Sequence, residues 1–193
     1  MSLRPLQVTE LVGDRFCRLV KRHHTDGLGV GWGSSRFVPP PASPPTGQDY
    51  RALYAARDLD TAFAETILRD DAVGCFDRFP IPLTTLAQWD VVEIETSDIR
   101  LADLRSHQVL AARVPTDAMH AQGHDEGQKL GREIRDDPRN FAGLLFQSRL
   151  TGVENIMVFE RAITSSLREI SRQPLLRCKS FAATIDRFML SIV

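Results

Sequence analysis

No stretch of this chain approaches the roughly 18 consecutive apolar residues that a membrane-spanning helix requires. The opening MSLRPLQVTELVGDRF also lacks the apolar core of a secretion signal. The expected location is therefore the cytoplasm. Charge of one sign is equally scarce: 24 Lys and Arg stand against 25 Asp and Glu, for a net charge of -1. A nucleic-acid binder draws its affinity from a basic face, so direct nucleic-acid binding is not expected, and DRFCRLVKRHH is the best local patch for it. The three cysteines, Cys17, Cys75 and Cys178, are odd in number and share no CxxC spacing, which reads as reduced thiols rather than a disulfide framework. GxGxxG, Walker, GxSxG and HExxH motifs are all missing, so the common nucleotide, hydrolase and zinc signatures fail.

What is present suffices for one globular core: 193 residues, 42% of them hydrophobic. The expectation is a single domain over 1–193, with its core over about 15–175. The segment PPPASPP (39–45) is too rich in proline for helix or sheet pairing, and too few residues precede it for a separate domain, so it reads as a surface loop. Short apolar runs at 15–20 and 52–56 predict strands, as do the β-branched and aromatic runs at 89–95, 143–148 and 155–160, with a further strand at 167–175. Helical spacing occurs at 58–70, 125–136 and 181–190. In the first of these, Asp58 suits an N-cap and Leu59, Ala62, Phe63, Thr66 and Ile67 follow the helical period. Strands and helices do not alternate strictly, which predicts an α+β fold with a mixed, largely antiparallel sheet and flanking helices.

Single residues invite ordinary readings. His120 and His124 lie four apart, but Gly123 between them weakens a helix and no third ligand is near, so no metal site is expected. His23 and His24 read as an exposed pair. Glu65 precedes Arg69 by four positions, the spacing of a surface ion pair on a helix. Tyr54 reads as a core tyrosine, Arg36 as a solvated loop residue, and Ser148 as a strand-end hydroxyl.

The order SRF … LYAARDLDTAFAE … LLFQSRL links these residues, because it resembles the RES-domain family, which is named for an arginine, a glutamate and a serine. The matching positions are Arg36 before Phe37, Tyr54, Glu65, and Ser148 before Arg149, and GVENIMVF resembles the family's closing strand. This chain departs from the family in its longer link, SSRFVPPPASPPTGQDY, which also supplies Tyr50 as a rival for the aromatic role.

The resemblance implies a fold similar to ADP-ribosyltransferase toxins and an enzyme that consumes NAD+ as substrate, by phosphorolysis with inorganic phosphate or by hydrolysis, without a metal. Arg36 would grip the pyrophosphate, Tyr54 stack on the nicotinamide, Glu65 stabilise the ribose cation, and Ser148 orient the ribose or Glu65, with Arg149 a second anion contact or a partner for acidic neighbours. The resemblance also implies the toxin of a type II toxin–antitoxin pair with a helix-turn-helix antitoxin; a homo-oligomer remains open. Three alternatives stand beside it: an ADP-ribosyltransferase acting on a macromolecule, a nucleotide-binding module without turnover, and a secreted effector with the same chemistry.

Overall fold

The structure is a computed structural model that describes residues 5–43, 49–69, 77–105 and 107–193. Pro44 and Pro45 of the proline segment, Asp70 and Cys75 lie outside the described residues. In chain order the strands are β1 (Gln7–Leu11), β2 (Arg15–Lys21), β3 (Ala52–Ala56), β4 (Phe79–Ile81), β5 (Trp89–Thr96), β6 (Ile99–Leu104), β7 (Gly143–Gln147), β8 (Glu154–Phe159), β9 (Leu167–Pro174) and β10 (Leu190–Ile192). The helices are α1 (Leu59–Phe63), α2 (Leu83–Leu86), α3 (His107–Ala111), α4 (Thr116–His120), α5 (Asp125–Arg135), α6 (Glu160–Ser166) and α7 (Phe181–Arg187). The architecture is α+β, with eight strands in the order β1-β6-β7-β8-β3-β2-β5-β9 and a small β10-β4 pair. Every pairing in the large sheet is antiparallel except β6 with β7.

The strand sequences alternate because side chains a residue apart face opposite sides of a sheet. In β2, Phe16 and Val20 join one cluster while Cys17 and Leu19 join another. In β8, Ile156 and Val158 face one side, Met157 and Phe159 the other. One face of the sheet thus carries a single apolar cluster that runs from Phe16 and Ile94 across Leu53 to Leu145. The opposite face carries two. One, around Phe37, Phe141 and Phe159, is covered by α4 and α5; the other, around Phe63, Leu86 and Phe181, by α1 and α7.

The division follows the sheet itself. β2 and β3 share a single register pair, Cys17 with Ala56, whereas β2 and β5 pair over seven. Hydrogen bonding is thinnest at that seam, and a gap opens between the two half-cores above it.

Several expected elements end differently in the structure. The helix expected over 58–70 is α-helical only to Phe63; Ala64–Leu68 form a π turn, closed by the Arg69 N–H donating to the Ala64 carbonyl at 2.7 Å. Asp58 does cap it, accepting from the Thr61 N–H at 2.8 Å. The helix expected to 190 stops at Arg187, because Met189 takes a positive φ of 51° and Leu190 enters β10. β1, QVTEL, lacks the apolar density that marks a strand in sequence and holds through pairing with β6; β6, IRLADL, lies between β1 and β7 with Ile99, Leu101, Ala102 and Leu104 buried.

Candidate active site

The cleft at the seam has a volume of about 250 Å³. Its floor is sheet: Tyr54 and Ala56 from β3, Cys17 from β2, Phe146 from β7 and Asn155 from β8. One wall is the first helical segment, which presents Ala62, Glu65, Thr66 and Arg69, a stripe at helical spacing. The other wall is formed by Ser35, Arg36, Met119 and Arg149.

Ser148 sits behind Glu65 rather than on the surface of the cleft. It is buried at the end of β7 and donates to Glu65 Oε1 at 2.6 Å. Its hydroxyl oxygen accepts from the N–H groups of Leu150 and Thr151 at 3.1 and 3.3 Å. A hydroxyl has one proton and two lone pairs. With both lone pairs facing N–H donors, the proton is directed at the carboxylate. The turn is closed by Ser148 N–H to the Val153 carbonyl and Gly152 N–H to the Ser148 carbonyl, each 2.8 Å. Gly152 has a φ of +74°, which a side chain would disfavour. The Thr61 and Thr151 hydroxyls, 2.9 Å apart, join this turn to α1. Glu65 is therefore held by Ser148, and the ion pair with Arg69 suggested by their spacing gives way to this contact.

Arg36 is positioned by α5. Gly127 and Gly131 lie one turn apart, and a Cβ at either would overlap backbone oxygen, of Arg36 and of Phe37 respectively. Only glycine lets the 34–38 segment lie this close. The Gln128 amide then donates to Ser34 Oγ at 3.0 Å and the Ser35 carbonyl at 3.1 Å. From this segment the Arg36 side chain reaches the Ala121 carbonyl just after α4, at 3.0 Å, and Arg149 reaches the same oxygen at 3.4 Å. Two guanidinium groups thus meet on one carbonyl.

The electrostatics follow from that convergence. Burial lowers the pKa of Arg36, and Arg149 lowers it further against the opposing pull of Glu65. Arginine nevertheless stays charged at any working pH. His124, at the edge of the site, is lowered below its ordinary 6.5 by burial and then by Arg36, Arg69 and Arg149. Burial pushes the Tyr54 phenol up to about 12 despite its hydrogen bond to Ser35 Oγ at 2.8 Å, so it is neutral at pH 7. Cys17 is likewise raised to about 12 by burial and by Asp58 and Glu93, which keeps it a thiol and a poor nucleophile.

The structure brings Arg36, Tyr54, Glu65 and Arg149 to one cleft, with Ser148 behind Glu65. Tyr50 does not line it: its hydroxyl donates to the Phe37 carbonyl and its ring packs edge-on against Phe159. His120 ends α4 and His124 precedes α5, so the two do not share a helix. His23 and His24 are exposed, their ring centroids 4.2 Å apart. The basic stretch around β2 is divided among partners, with Arg18 on the Gly29 carbonyl, Lys21 on Gln88 and Arg22 on Asp90. Sequence reasoning missed Ser35, Arg69 and Asn155. The signal for Asn155 was a polar residue inside the apolar run NIMVF.

The α+β fold thus carries a cleft lined by several arginines, with a carboxylate held by a serine on one wall. The chain belongs to the RES domain family, whose model matches residues 15–178. It is 36% identical over 128 residues, 65% of this chain and 100% of the relative, to a protein of Sinorhizobium fredii named "Probable toxin y4kH". Its fold resembles a chain of the crystal structure of the M. tuberculosis MbcT-MbcA toxin-antitoxin complex, with a TM-score of 0.66, 17% identity, and coverage of 92% of this chain and 89% of that one.

Proposed function

We propose that this protein breaks the nicotinamide–ribose bond of NAD+, with phosphate or water as acceptor, and acts as the toxin of a toxin–antitoxin pair. The observation that carries the reading is the Glu65 carboxylate, held by Ser148 on one wall of a cleft whose other wall presents Arg36 and Arg149. Breaking an N-glycosidic bond sends its electron pair to the nicotinamide, which leaves neutral, and develops positive charge on the ribose. A fixed carboxylate stabilises that charge most where it exists, in the transition state. The guanidinium groups supply planar donor forks that match a pyrophosphate. Tyr54, neutral and at the floor, offers an aromatic face for the departing ring. The acceptor oxygen then bonds to the ribose carbon and its proton passes to solvent, giving ADP-ribose with water or its 1-phosphate with phosphate.

The toxin role is supported by the name of the Sinorhizobium relative and by the fold shared with a chain of a toxin–antitoxin complex. A helix-turn-helix antitoxin covering the cleft is the partner proposed. Incubating the purified protein with NAD+, with and without phosphate, and identifying the products by mass tests the reaction. Free nicotinamide with ADP-ribose or its phosphate is expected; ADP-ribose appearing on added protein or nucleic acid instead would make the enzyme a transferase. Expression without a partner should deplete cellular NAD+, and growth arrest at constant NAD+ would overturn the reading.

A further inference from the structure

Asn155 lies on β8 at the floor of the cleft, only 6% exposed, between its register partners Ala56 on β3 and Phe146 on β7. Its Oδ1 is buried and has no hydrogen-bond partner among the described residues. Buried side-chain oxygens are nearly always paired, and an unpaired one on a residue lining a cleft is a natural acceptor for a ligand donor once the amide turns toward it. We propose that Asn155 reads the carboxamide of the leaving nicotinamide and so sets the enzyme's preference for the amide form of the dinucleotide. The inference rests on the NAD+ reading above.

The surroundings decide what kind of donor fits. The floor beside Asn155 is apolar or neutral: the Phe146 ring, the Ala56 methyl, the Cys17 thiol and the Tyr54 phenol. A cation would be desolvated there and would share the cleft with Arg18, Arg36, Arg69 and Arg149. The ligand group is therefore a neutral N–H or O–H donor carried on a flat apolar body. A primary carboxamide on an aromatic ring has that form. It can pair with a second carboxamide by two hydrogen bonds, each amide donating one and accepting one. A carboxylate in the same place would set its charge against the Asn155 carbonyl oxygen and could not donate to it, so the deamidated dinucleotide should be a poor substrate. Asn155 makes no contribution to bond breaking in this account; it fixes which ring is accepted and how it is turned.

The test compares NAD+ with nicotinic acid adenine dinucleotide, in the wild-type protein and in Asn155→Ala. The wild type should favour NAD+ in kcat/KM by about 100-fold, as expected where a site is built around a polar group. In Asn155→Ala that ratio should shrink about 10-fold, for loss of neutral hydrogen bonds, while inhibition by ADP-ribose stays within about twofold. A merely structural role would lower both substrates together and leave the ratio unchanged, and that result would overturn the inference alone. No consumption of NAD+ by the wild type would remove the proposed reaction and this inference with it. Should Asn155→Ala fail to fold, the wild type still decides: nicotinamide should inhibit at least about 10-fold better than nicotinic acid or pyridine. Equal inhibition by the three would overturn the proposal.

Discussion

Glu65 and Ser148 define what a single substitution can report. Glu65→Gln keeps the shape and the acceptor for Ser148 but removes the charge. Turnover should fall roughly 100- to 1000-fold, with NAD+ affinity little changed, because the cation exists only in the transition state. Steady-state kinetics and direct binding check this, and an active Glu65→Gln protein would end the catalytic role. Ser148→Ala removes the acceptor for two N–H groups as well as the donor to Glu65. It should therefore lower stability by about 1–3 kcal/mol, read from denaturant melts, as well as turnover. His124 offers a spectroscopic reporter. Burial and the three cleft arginines lower its pKa, so an anion bound among them should raise it. A histidine NMR titration with and without ADP-ribose checks the direction; an unchanged value would place the anion elsewhere.

At the scale of elements, α5 shapes the site from behind, and the π turn carries Glu65 into it. The Gly127 and Gly131 face of α5 receives the backbone of the segment that carries Arg36. Gly131→Ala would gain helix propensity yet force a methyl against the Phe37 carbonyl and the Tyr50 hydroxyl. Overpacking should win, costing about 1–3 kcal/mol in denaturant melts and displacing Arg36, with a raised KM. A variant more stable than wild type would mean that the segment yields easily. The π turn brings Arg69 to the cleft at a φ of 28°, ψ of -107°, an uncommon place for a residue with a side chain. Such strain concentrates at functional sites because the surrounding structure must hold it.

At the scale of the molecule, the sheet is tied together across its edge by charge. Arg105 binds Asp103 and Glu154, Arg57 binds Glu154 and Asp14, and Thr9 donates to Asp103. Burial alone would raise Asp103 and Glu154, but their arginine contacts prevail and hold both below their ordinary 3.8 and 4.5. A lowered carboxylate contributes stability that is complete above its unfolded value and is lost as pH falls through its folded value. The stability gap between wild type and Arg105→Gln should therefore be widest near neutral pH and narrow as pH falls below the ordinary carboxylate values of 4.5 and 3.8. Melting temperatures across pH 2–8 check this, and parallel curves would mean that Arg105 acts through packing alone.

Local chemistry determined a good part of this. β-branched and aromatic runs mark β5, β7 and β8, the apolar run ALYAA marks β3, and Asp58 marks the start of α1, because each signal depends on neighbours in the chain. The order of Arg36, Tyr54, Glu65 and Ser148 was also legible, through family resemblance. Which tyrosine meets the cleft was not: Tyr50 and Tyr54 share a side-chain type and an apolar neighbourhood, and only the strand's register and the packing of α5 turn one toward the Phe37 carbonyl and the other toward Ser35. The π turn, the seam between β2 and β3, and the unpaired side-chain oxygen of Asn155 were likewise decided by the tertiary structure. Each depends on partners distant in sequence, and pairing across a sheet is set by the sum of those contacts rather than by any one strand.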